Sequence, residues 1–394
     1  MNYSELREIL NIRLNNKKDY NDLLPYITHY LQNVGHEAAE AYREVAEQYI
    51  PSDLDIDNIN WDIPIPPVQN PDFTFVDLFA GIGGVRQAFQ NLGGKCVFTS
   101  EWDFYAQKSY EANYGEVPFG DITQIDERLI PNHDVLLAGF PCQAFSIAGR
   151  RGGFDDTRGT LFFDVARIIR EKRPQAFFLE NVKGLRNHDR GRTLNTILNT
   201  LREDLGYFVP EPQIINALDF GVPQNRERIF IVGFSPESGI TEFEYPTPTG
   251  TNIRFIDIRE SEPVATKYYL SQRYMDTLIR HRERHANRGN GFGYAIVPDD
   301  GIASAVLVGG MGRERNLVID NRRTDFTDIS PNKGEINSEG IRTMTPKEWK
   351  KLQGFSENFE IVVSDVQAYK QFGNSVAVPA VQATAEKILE MLRG

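Results

Sequence analysis

The stretch FTFVDLFAGIGG, residues 73–84, decides how this chain folds. It opens with a mostly apolar run that is typical of a buried strand, and it ends with glycines that let the backbone turn tightly. The overlapping stretch GVRQAFQNL, residues 84–92, places four apolar side chains on one face of a helix, at Val85, Ala88, Phe89 and Leu92. The sequence therefore predicts a strand, a glycine turn and a helix in succession.

Four further apolar runs repeat this pattern along the chain. They read KCVFTSE, DVLLAGF, AFFLENV and RIFIVGF, with helical patterns between them. Strands that are almost continuously apolar and separated by helices indicate a parallel sheet with helices on both faces. The sequence thus predicts an α/β fold with a doubly wound, Rossmann-like sheet.

The chain divides into three regions. The predicted sheet occupies residues 73–250, and its regular pattern gives way to Gly, Arg and short irregular strands at 251–365. We expect this second region to form a smaller domain, and the C-terminal helix within 366–394 to complete the first. Residues 1–72 combine an amphipathic stretch, AAEAYREVAEQYI, with an acidic, proline-rich stretch from residue 51 onward. They are predicted to form an acidic helical extension and an extended linker.

Composition excludes several classes of protein. With 40% hydrophobic and 25% charged residues among 394, the chain is in the ordinary globular range and long enough for two or more domains. No apolar run has the length of a membrane span, and the N-terminus lacks the pattern of a secretory signal. Two cysteines make no disulfide framework, and no Cys/His cluster has metal-ligand spacing. These features predict a cytoplasmic protein without a metal site.

The net charge of −12 is unevenly distributed. Residues 1–72 hold 5 Lys/Arg against 13 Asp/Glu, so the rest of the chain is close to neutral. Two stretches in that remainder are basic, KGLRNHDRGR at 183–192 and RYMDTLIRHRERHANR at 273–288. A phosphate-binding groove is therefore allowed, although a basic run is more often a solvated face.

Residue types that bind ligands follow the first three predicted strands. In a doubly wound sheet, ligands bind at the carboxyl ends of the strands. The first strand is followed by Gly81 and Gly83, the second ends in SEWD, and GDI would end the third. Glu101 of SEWD could accept hydrogen bonds from ribose hydroxyls, while Trp102 either stacks on a purine or belongs to the core. Asp121 of GDI offers a further acceptor, so the pattern predicts an adenosine-containing cofactor.

The loop GFPCQAF, residues 139–145, places a cysteine at the end of the next strand. Cys96 lies inside a strand and is expected to be structural, whereas Cys142 follows a proline at the ligand-binding edge. A fifth strand ends in ENV, which puts Glu180 on the same edge. A thiol and a carboxylate beside a nucleoside cofactor predict a nucleophile and an acid. The glycine-rich stretch 143–160 has the length of a mobile lid.

From Phe73 to the C-terminus, the motifs resemble those of the DNA (cytosine-5) methyltransferases of bacterial restriction–modification systems. In order they read DLFAGIGG, SEWD, GDI, GFPCQAFS, ENV, QNRER, RTMTPKEWKKLQGF and FGNSV. The resemblance implies an S-adenosylmethionine-dependent methyltransferase domain of the Rossmann-like class, with a smaller target-recognition domain, in a bacterial cytoplasmic enzyme. Residues 1–72 lie outside the match, and their role stays open.

The resemblance implies a covalent mechanism. Cytosine carbon 5 is too electron-poor to attack a methyl sulfonium, so the thiolate of Cys142 would add to carbon 6 first and be expelled after methyl transfer. Glu180, protonated or sharing a proton with ring nitrogen 3, would offset the charge that develops in the ring. The resemblance also implies that Asn181 braces the site. Arg226 and Arg228 would contact the base and nearby backbone, and Pro141 would shape the turn.

The implied cofactor is S-adenosylmethionine, with S-adenosylhomocysteine as the product. The residues matched to its adenosine are Phe79, Glu101, Trp102, Asp121 and Ile122. Gly81 and Gly83 would pass close to its methionine part, and Asn374 and Val376 of FGNSV would complete the pocket. FGN can also be interpreted as a helix-entry turn with Asn374 as the cap, and both roles are compatible.

A paired cytosine must be flipped out of the duplex before both attackers can reach it. The lid is then expected to close over the base, with Gln143 and Ser146 as candidates for DNA contact. Arg150, Arg151 and Arg158 either contact phosphates or belong to an exposed polar loop. In the smaller domain, Arg313 and Arg315 either read guanine edges or neutralise phosphates. RTMTPKEWKKLQGF is expected to pack as a structural helix beneath that domain.

The implied partner is double-stranded DNA, with a cognate restriction endonuclease sharing the target site and no obligate protein partner. Two alternatives stay open. Some members of the family methylate transfer RNA with the same catalytic residues, although a separate, longer target-recognition region favours DNA here. A non-catalytic nucleic-acid binder on the same fold would have no need of the thiol of Cys142. A Rossmann-type oxidoreductase is disfavoured because the full dinucleotide fingerprint is missing.

Overall fold

The computed structural model describes residues 63–141, 161–309, 312–323 and 334–394. Its main strands are β1 (Phe73–Leu78), β2 (Gly94–Ser100), β3 (Val135–Gly139), β4 (Ala176–Val182), β5 (Gln213–Asn216) and β7 (Glu227–Phe234). They form one six-stranded sheet in the order β2-β1-β3-β4-β7-β5. Two short pairs lie outside it, β6 (Gln224–Asn225) with β8 (Ala303–Ser304) and β9 (Leu317–Ile319) with β10 (Ile341–Thr343).

Helices follow most of these strands. Those of the first half are α1 (Gly84–Gln90), α2 (Phe104–Tyr114), α3 (Leu161–Lys172) and α4 (Arg192–Asn199). Those of the second half are α5 (Phe255–Ile258), α6 (Gln272–Ala286), α7 (Pro346–Leu352), α8 (Asp365–Asn374) and α9 (Val378–Arg393). The predicted succession of strand, glycine turn and helix at residues 73–92 is confirmed by β1 and α1.

The direction of the last strand departs from the prediction. Strands β1 to β4 are mutually parallel, as their apolar character indicated. RIFIVGF, however, forms β7, which runs antiparallel to both β4 and β5. The physical reason is the connection before it, because residues 217–226 contain no α-helix. A connection this short can join antiparallel neighbours, whereas parallel neighbours need a crossover.

The core lies on both faces of the sheet, since side chains alternate along each strand. Phe75 packs into a cluster that contains Phe89 of α1 and Ile388 of α9. Its neighbour Val76 packs on the opposite face with residues such as Ile169 of α3. A third, small cluster unites Leu270, Met275, Leu278, Leu317 and Ile341. This satellite core lies within the predicted smaller domain, whose limits at 251 and 365 stay a prediction.

Two local expectations are corrected. GDI does not end a sheet strand, because Phe119 forms only an isolated bridge to Ser100 and Ile122–Gln124 is a short 3-10 turn. The third strand is instead β3. Asn374 does not cap the start of a helix but is the last residue of α8, and Ala377 precedes α9. In both cases a polar residue beside a turn is compatible with more than one position for the end of a strand or helix. The packing of the folded chain determines which position is adopted.

RTMTPKEWKKLQGF contains the structural helix that was predicted. Thr345 caps α7, and its hydroxyl and the carboxylate of Glu348 satisfy each other's backbone N–H groups. Trp349 is buried on this helix and packs edge-on against Tyr369, with ring centroids 4.8 Å apart. Across the described ranges, no helix combines the length and apolar character needed to cross a membrane.

Candidate active site

The glycine turn after β1 has a backbone that few side chains allow. Gly81 and Gly83 have φ values of 56° and 78°, and Phe79 adopts a left-handed φ of 56° without being glycine. A Cβ on Gly83 would lie 2.4 Å from the ring of Tyr114, whose hydroxyl donates to the Gly83 carbonyl at 2.9 Å. A Cβ on Gly81 would meet no atom of the described residues within 4 Å. The turn is thus held from one side by Tyr114 and open at Gly81.

Glu101 joins the glycine turn to the end of β2. Its carboxylate accepts hydrogen bonds from the backbone N–H of Gly81 at 2.8 Å and from that of Asp103 at 2.7 Å. Burial raises the pKa of Glu101, and the backbone donors oppose that rise. The carboxylate therefore fixes the two strand ends relative to each other, at the edge where the sequence predicts a nucleoside.

Trp102 is not a core residue. Its side chain is 77% exposed although it follows a buried strand, which overturns the alternative that it belongs to the core. An exposed tryptophan at a strand end is available for stacking on a planar ligand. Nearby, Asp121 accepts from the N–H of Thr123 at 3.0 Å, and Ile122 is buried.

FGNSV returns to the glycine turn from the far end of the chain. A Cβ on Gly84 would lie 2.7 Å from Oγ of Ser375 and 3.0 Å from Cγ2 of Val376. The absence of a side chain at Gly84 is therefore what allows this approach. Val376 is buried there, and Asn374 is exposed. The structure thus brings together residues almost 300 positions apart in the sequence.

A buried carboxylate lies beneath the turn, in β1. Asp77 is 1% exposed, and burial raises its pKa to about 7, with the positive charge of Arg86 opposing the rise only in part. Since the ordinary value is 3.8, the folded protein retains this proton over a pH range in which the unfolded chain has lost it. The contribution to stability is therefore complete below about pH 4 and is lost as the pH rises through 7.

We expect Asp77→Asn to reduce the pH dependence of stability. Between pH 5 and pH 8 the free energy of unfolding of the wild type should fall by about 2–3 kcal/mol through this group, because the buried carboxylate ionises. The amide of the variant does not titrate. Urea unfolding at both pH values measures the difference, with the exposed Asp300→Asn as the control. Equal pH dependence in wild type and Asp77→Asn would contradict the assignment.

Glu180 and Arg228 form an ion pair at the end of β4. Nε of Arg228 lies 3.0 Å from Oε1 of Glu180, and both side chains are largely buried. Burial raises the pKa of Glu180, while the charges of Arg228 and Arg226 oppose that rise. A buried carboxyl beside an arginine is suited to holding or sharing a proton with a ligand.

Asn181 connects this carboxylate to the loop that precedes Cys142. Its Nδ2 donates to the carbonyl of Phe140 at 2.8 Å, and its Oδ1 accepts from the N–H of Val182 at 2.8 Å. The chain two residues before Cys142 is thereby fixed against the strand that carries Glu180. Pro141 is exposed at that point and is the last described residue of the loop.

Arg226 contacts backbone carbonyls. Its guanidinium is buried and donates to Val306 at 2.8 Å, Gly373 at 3.0 Å and Ser375 at 2.5 Å. Burial lowers its pKa to about 9, and Arg228 adds to the effect. Arg226 thus ties QNRER to FGNSV and to the stretch after β8. Contact with a base stays a prediction, and of the two arginines it is Arg228 that lies against Glu180.

Sequence reasoning missed a buried amide that supports the same region. Nε2 of Gln224 donates to the Leu352 carbonyl at 2.8 Å, and its Oε1 accepts from the N–H of Val306 at 3.0 Å. Gln353 adds a bond from Nε2 to the Phe372 carbonyl at 2.6 Å. Gln224 begins QNRER, so the motif was visible, but the sequence does not indicate that this side chain points inward.

The remaining candidate residues lie partly inside and partly outside the described ranges. Arg313 lies over the ring of Tyr369 and Arg315 over that of Phe292, at 5.3 and 5.4 Å from the ring centroids. Their roles in base reading or phosphate contact stay predictions. Cys96 is structural as expected, since its buried thiol donates to the Phe98 carbonyl at 3.3 Å and burial raises its pKa to about 12. Six candidates lie outside the described residues, namely Cys142, Gln143, Ser146, Arg150, Arg151 and Arg158.

Comparison with known proteins identifies the family. The model of the C-5 cytosine-specific DNA methylases matches residues 73–390. The chain belongs to this family. It is 68% identical over 332 residues to the type II methyltransferase M.HpaII of Haemophilus parainfluenzae, covering 83% of this chain and 93% of that protein. It is 39% identical over 326 residues to M.HhaI of Haemophilus parahaemolyticus, covering 83% and 97%.

A similar fold is also seen in solved structures. The Dnmt2 methyltransferase of S. pombe superposes with a TM-score of 0.62 at 18% identity, covering 82% of this chain and all of that one. From the family match and the relatives, the protein of this chain is a DNA cytosine-5 methyltransferase of the restriction–modification type. Its fold is of the Rossmann-like α/β class. Residues 1–72 lie outside the family match, as expected.

The family uses S-adenosylmethionine, and the geometry of the methyltransferase fits that group. Three observations support the fit. The glycine turn is open at Gly81, Trp102 exposes an aromatic face beside Glu101, and Val376 closes against the turn from the C-terminus.

Proposed function

We propose that this enzyme methylates carbon 5 of a cytosine flipped out of a specific short duplex sequence, through a covalent adduct with Cys142. The observation that carries the proposal is the hydrogen bond from Asn181 to the Phe140 carbonyl. It holds the residue two positions before Cys142 against the strand that bears Glu180. A nucleophile and a carboxyl supplied from adjacent parallel strands suit two-point attack on one planar ring.

Each residue has a defined part in the proposed reaction. The Cys142 thiolate would add to carbon 6, which displaces the electron pair of the carbon 5–carbon 6 double bond into the ring. A proton that Glu180 supplies or shares at nitrogen 3 would stabilise the negative charge that develops there. Arg228 holds the Glu180 carboxyl in place from the side. Once carbon 5 carries the transferred methyl group, loss of its proton would expel the thiolate, and nitrogen 3 would return its proton to Glu180 as the ring is restored. Burial of Glu180 favours the protonated carboxyl that this role requires.

S-adenosylmethionine would supply the electrophilic methyl group. Its adenosine would be held by Glu101, by the face of Trp102 and by the turn at Phe79, with Asp121 and Ile122 further along the same edge. Gly81 and Gly83 would lie along the methionine part, and Asn374 and Val376 would close the pocket. Each oxygen of the Glu101 carboxylate accepts one backbone hydrogen bond, and a carboxylate has about four acceptor sites, so capacity is left to accept from a ribose hydroxyl.

The DNA contacts are proposed from the sequence motifs. Residues 143–160 would close over the flipped base, with Gln143 and Ser146 near the base and Arg150, Arg151 and Arg158 on phosphates. Arg313 and Arg315 would contact the target sequence from the smaller domain. A cognate endonuclease would share that sequence, so that methylation protects host DNA from cleavage.

Methyl incorporation tests the proposed substrate. Purified enzyme and labelled S-adenosylmethionine are incubated with duplex DNA and, separately, with transfer RNA. We expect incorporation into duplex DNA, and bisulfite sequencing of the product should locate every modified cytosine in one short sequence. Incorporation into transfer RNA alone, or into neither substrate, would overturn the proposal.

Trp102→Ala should weaken the binding of S-adenosylmethionine. Loss of one stacking face removes about 1–3 kcal/mol, which corresponds to roughly a 5- to 150-fold rise in Kd. Stability should change by less than about 0.5 kcal/mol, since the side chain is already exposed. Titration calorimetry gives the Kd, and the exposed Phe292→Ala is the control. Unchanged affinity in Trp102→Ala would place the adenine elsewhere.

A further inference from the structure

The segment between β4 and α4 holds an unusual backbone. Residues Lys183–Gly191 make short 3-10 turns broken by a kink, and three consecutive residues there are left-handed. Their φ values are 49° at Asp189, 58° at Arg190 and 83° at Gly191. Left-handed backbone disfavours residues other than glycine by roughly 1–2 kcal/mol each. Such strain persists only where the surrounding structure enforces it.

Several contacts enforce this conformation. Leu185 is fully buried in the core and anchors the first turn. Nδ1 of His188 and Oγ1 of Thr193 share a hydrogen bond of 2.6 Å, which joins the kink to the start of α4. Asp189 also pairs with Arg192. The segment is therefore fixed in a shape that presents the side chains between these anchors.

The four cations of KGLRNHDRGR differ in their partners. Lys183 pairs with Glu227 at 2.7 Å, and Arg192 pairs with Asp189. Arg186 and Arg190 are exposed, and neither has a carboxylate within ion-pair distance in the part of the chain that the structure describes. Two positive charges without an acidic partner among the described residues can thus meet an anion.

The segment begins at the rim of the active site. Val182, its neighbour, pairs with Arg228, and Glu180 lies two residues earlier in the same strand. Even a fully extended chain would put Arg186 no more than about 22 Å from Glu180. Each strand of a duplex carries one phosphate per 3.4 Å or so of helix axis. A strand with its base at Glu180 therefore has several phosphates within that distance.

We propose that Arg186 and Arg190 bind backbone phosphates of duplex DNA beside the target cytosine. This inference rests on the proposed function, because it takes the position of the flipped base at Glu180 as its reference point. The strained turn sets the spacing of the two guanidinium groups, and the core anchor at Leu185 fixes their distance from the catalytic edge. Contacts of this kind position the duplex and carry no sequence information.

The salt dependence of DNA binding tests this surface. Kd for a target duplex is measured between 50 and 200 mM salt for the wild type and for the double variant Arg186→Ala/Arg190→Ala. Each lost phosphate contact reduces the slope of log K against log salt by about 0.9, so the double variant should lose about 1.8. The ratio of affinities for target and non-target duplex should stay unchanged, as should kcat at saturating DNA.

Two further double variants test whether the charges of Arg186 and Arg190 cause the change in slope. Arg186→Lys/Arg190→Lys keeps both charges and should retain the wild-type slope within about 0.5. Arg128→Ala/Lys387→Ala removes two cations whose partners are Asp126 and Glu390, and it should leave the slope unchanged. A wild-type slope in Arg186→Ala/Arg190→Ala would overturn the proposal. A reduced slope with transfer RNA but not with duplex DNA would also overturn it. Methyl transfer by the wild type is scored separately, so failure of the proposed function is distinguished from failure of this surface.

Discussion

Replacing Cys142 with serine should abolish methyl transfer and leave cofactor and duplex binding close to wild type. A serine hydroxyl is almost entirely protonated at neutral pH, whereas a thiol reaches the nucleophilic anion far more readily, so addition to carbon 6 stops. We expect turnover to fall by more than about 10³-fold, which is the scale of losing a covalent nucleophile. Labelled methyl incorporation gives the rate, and Kd values confirm that the variant still binds.

The adduct itself can be isolated. With 5-fluorocytosine at the target position, addition and methyl transfer proceed, but fluorine does not leave as a cation and the thiolate is not expelled. A covalent complex stable to denaturing electrophoresis should form only when S-adenosylmethionine is present, and Cys142→Ser should form none. Peptide mapping should leave Cys96 unmodified, because burial raises the pKa of that thiol to about 12. Wild-type turnover in Cys142→Ser, or absence of any adduct, would overturn the covalent mechanism.

The sheet could be predicted because local patterns decide it. Apolar runs of about five to eight residues, the first of them followed by a glycine turn, indicate buried strands, and β1 to β4 have the predicted direction. The direction of β7 could not be predicted in the same way. It follows from the short, helix-free connection at residues 217–226, and an apolar run alone does not distinguish parallel from antiparallel pairing.

The position of candidate side chains was predictable at strand ends and less so elsewhere. Glu101, Trp102 and Glu180 all lie at the carboxyl edge because strand polarity forces them there. The exposure of Trp102 could not be inferred, since tryptophan is common both in cores and at ligand sites.

Long-range contacts were the least visible in the sequence. Arg226 and Gln224 stand in one motif with Arg228, yet their partners come from Val306, Leu352 and Ser375. Nothing in local spacing reveals that a guanidinium will be surrounded by three backbone carbonyls. The approach of Ser375 to Gly84 is of the same kind, because it depends on how α8 and α9 return to the sheet.

Glu180→Gln should lower kcat by about 10²–10³-fold while duplex and cofactor affinity stay within a few-fold of wild type. The amide has the same shape and can occupy the site, but it does not supply a proton to ring nitrogen 3 as charge develops, and that stabilisation is needed only in the transition state. Replacing a buried carboxylate beside Arg228 also changes stability, so thermal unfolding must first show that the variant is folded at the assay temperature. Single-turnover methyl transfer at saturating DNA then isolates the chemical step. Glu211→Gln, which removes an exposed glutamate paired with Arg202, is the matched control and should keep wild-type kcat. An unchanged kcat in Glu180→Gln would mean that another group stabilises the ring, and equal losses in both variants would point to a general effect of net charge.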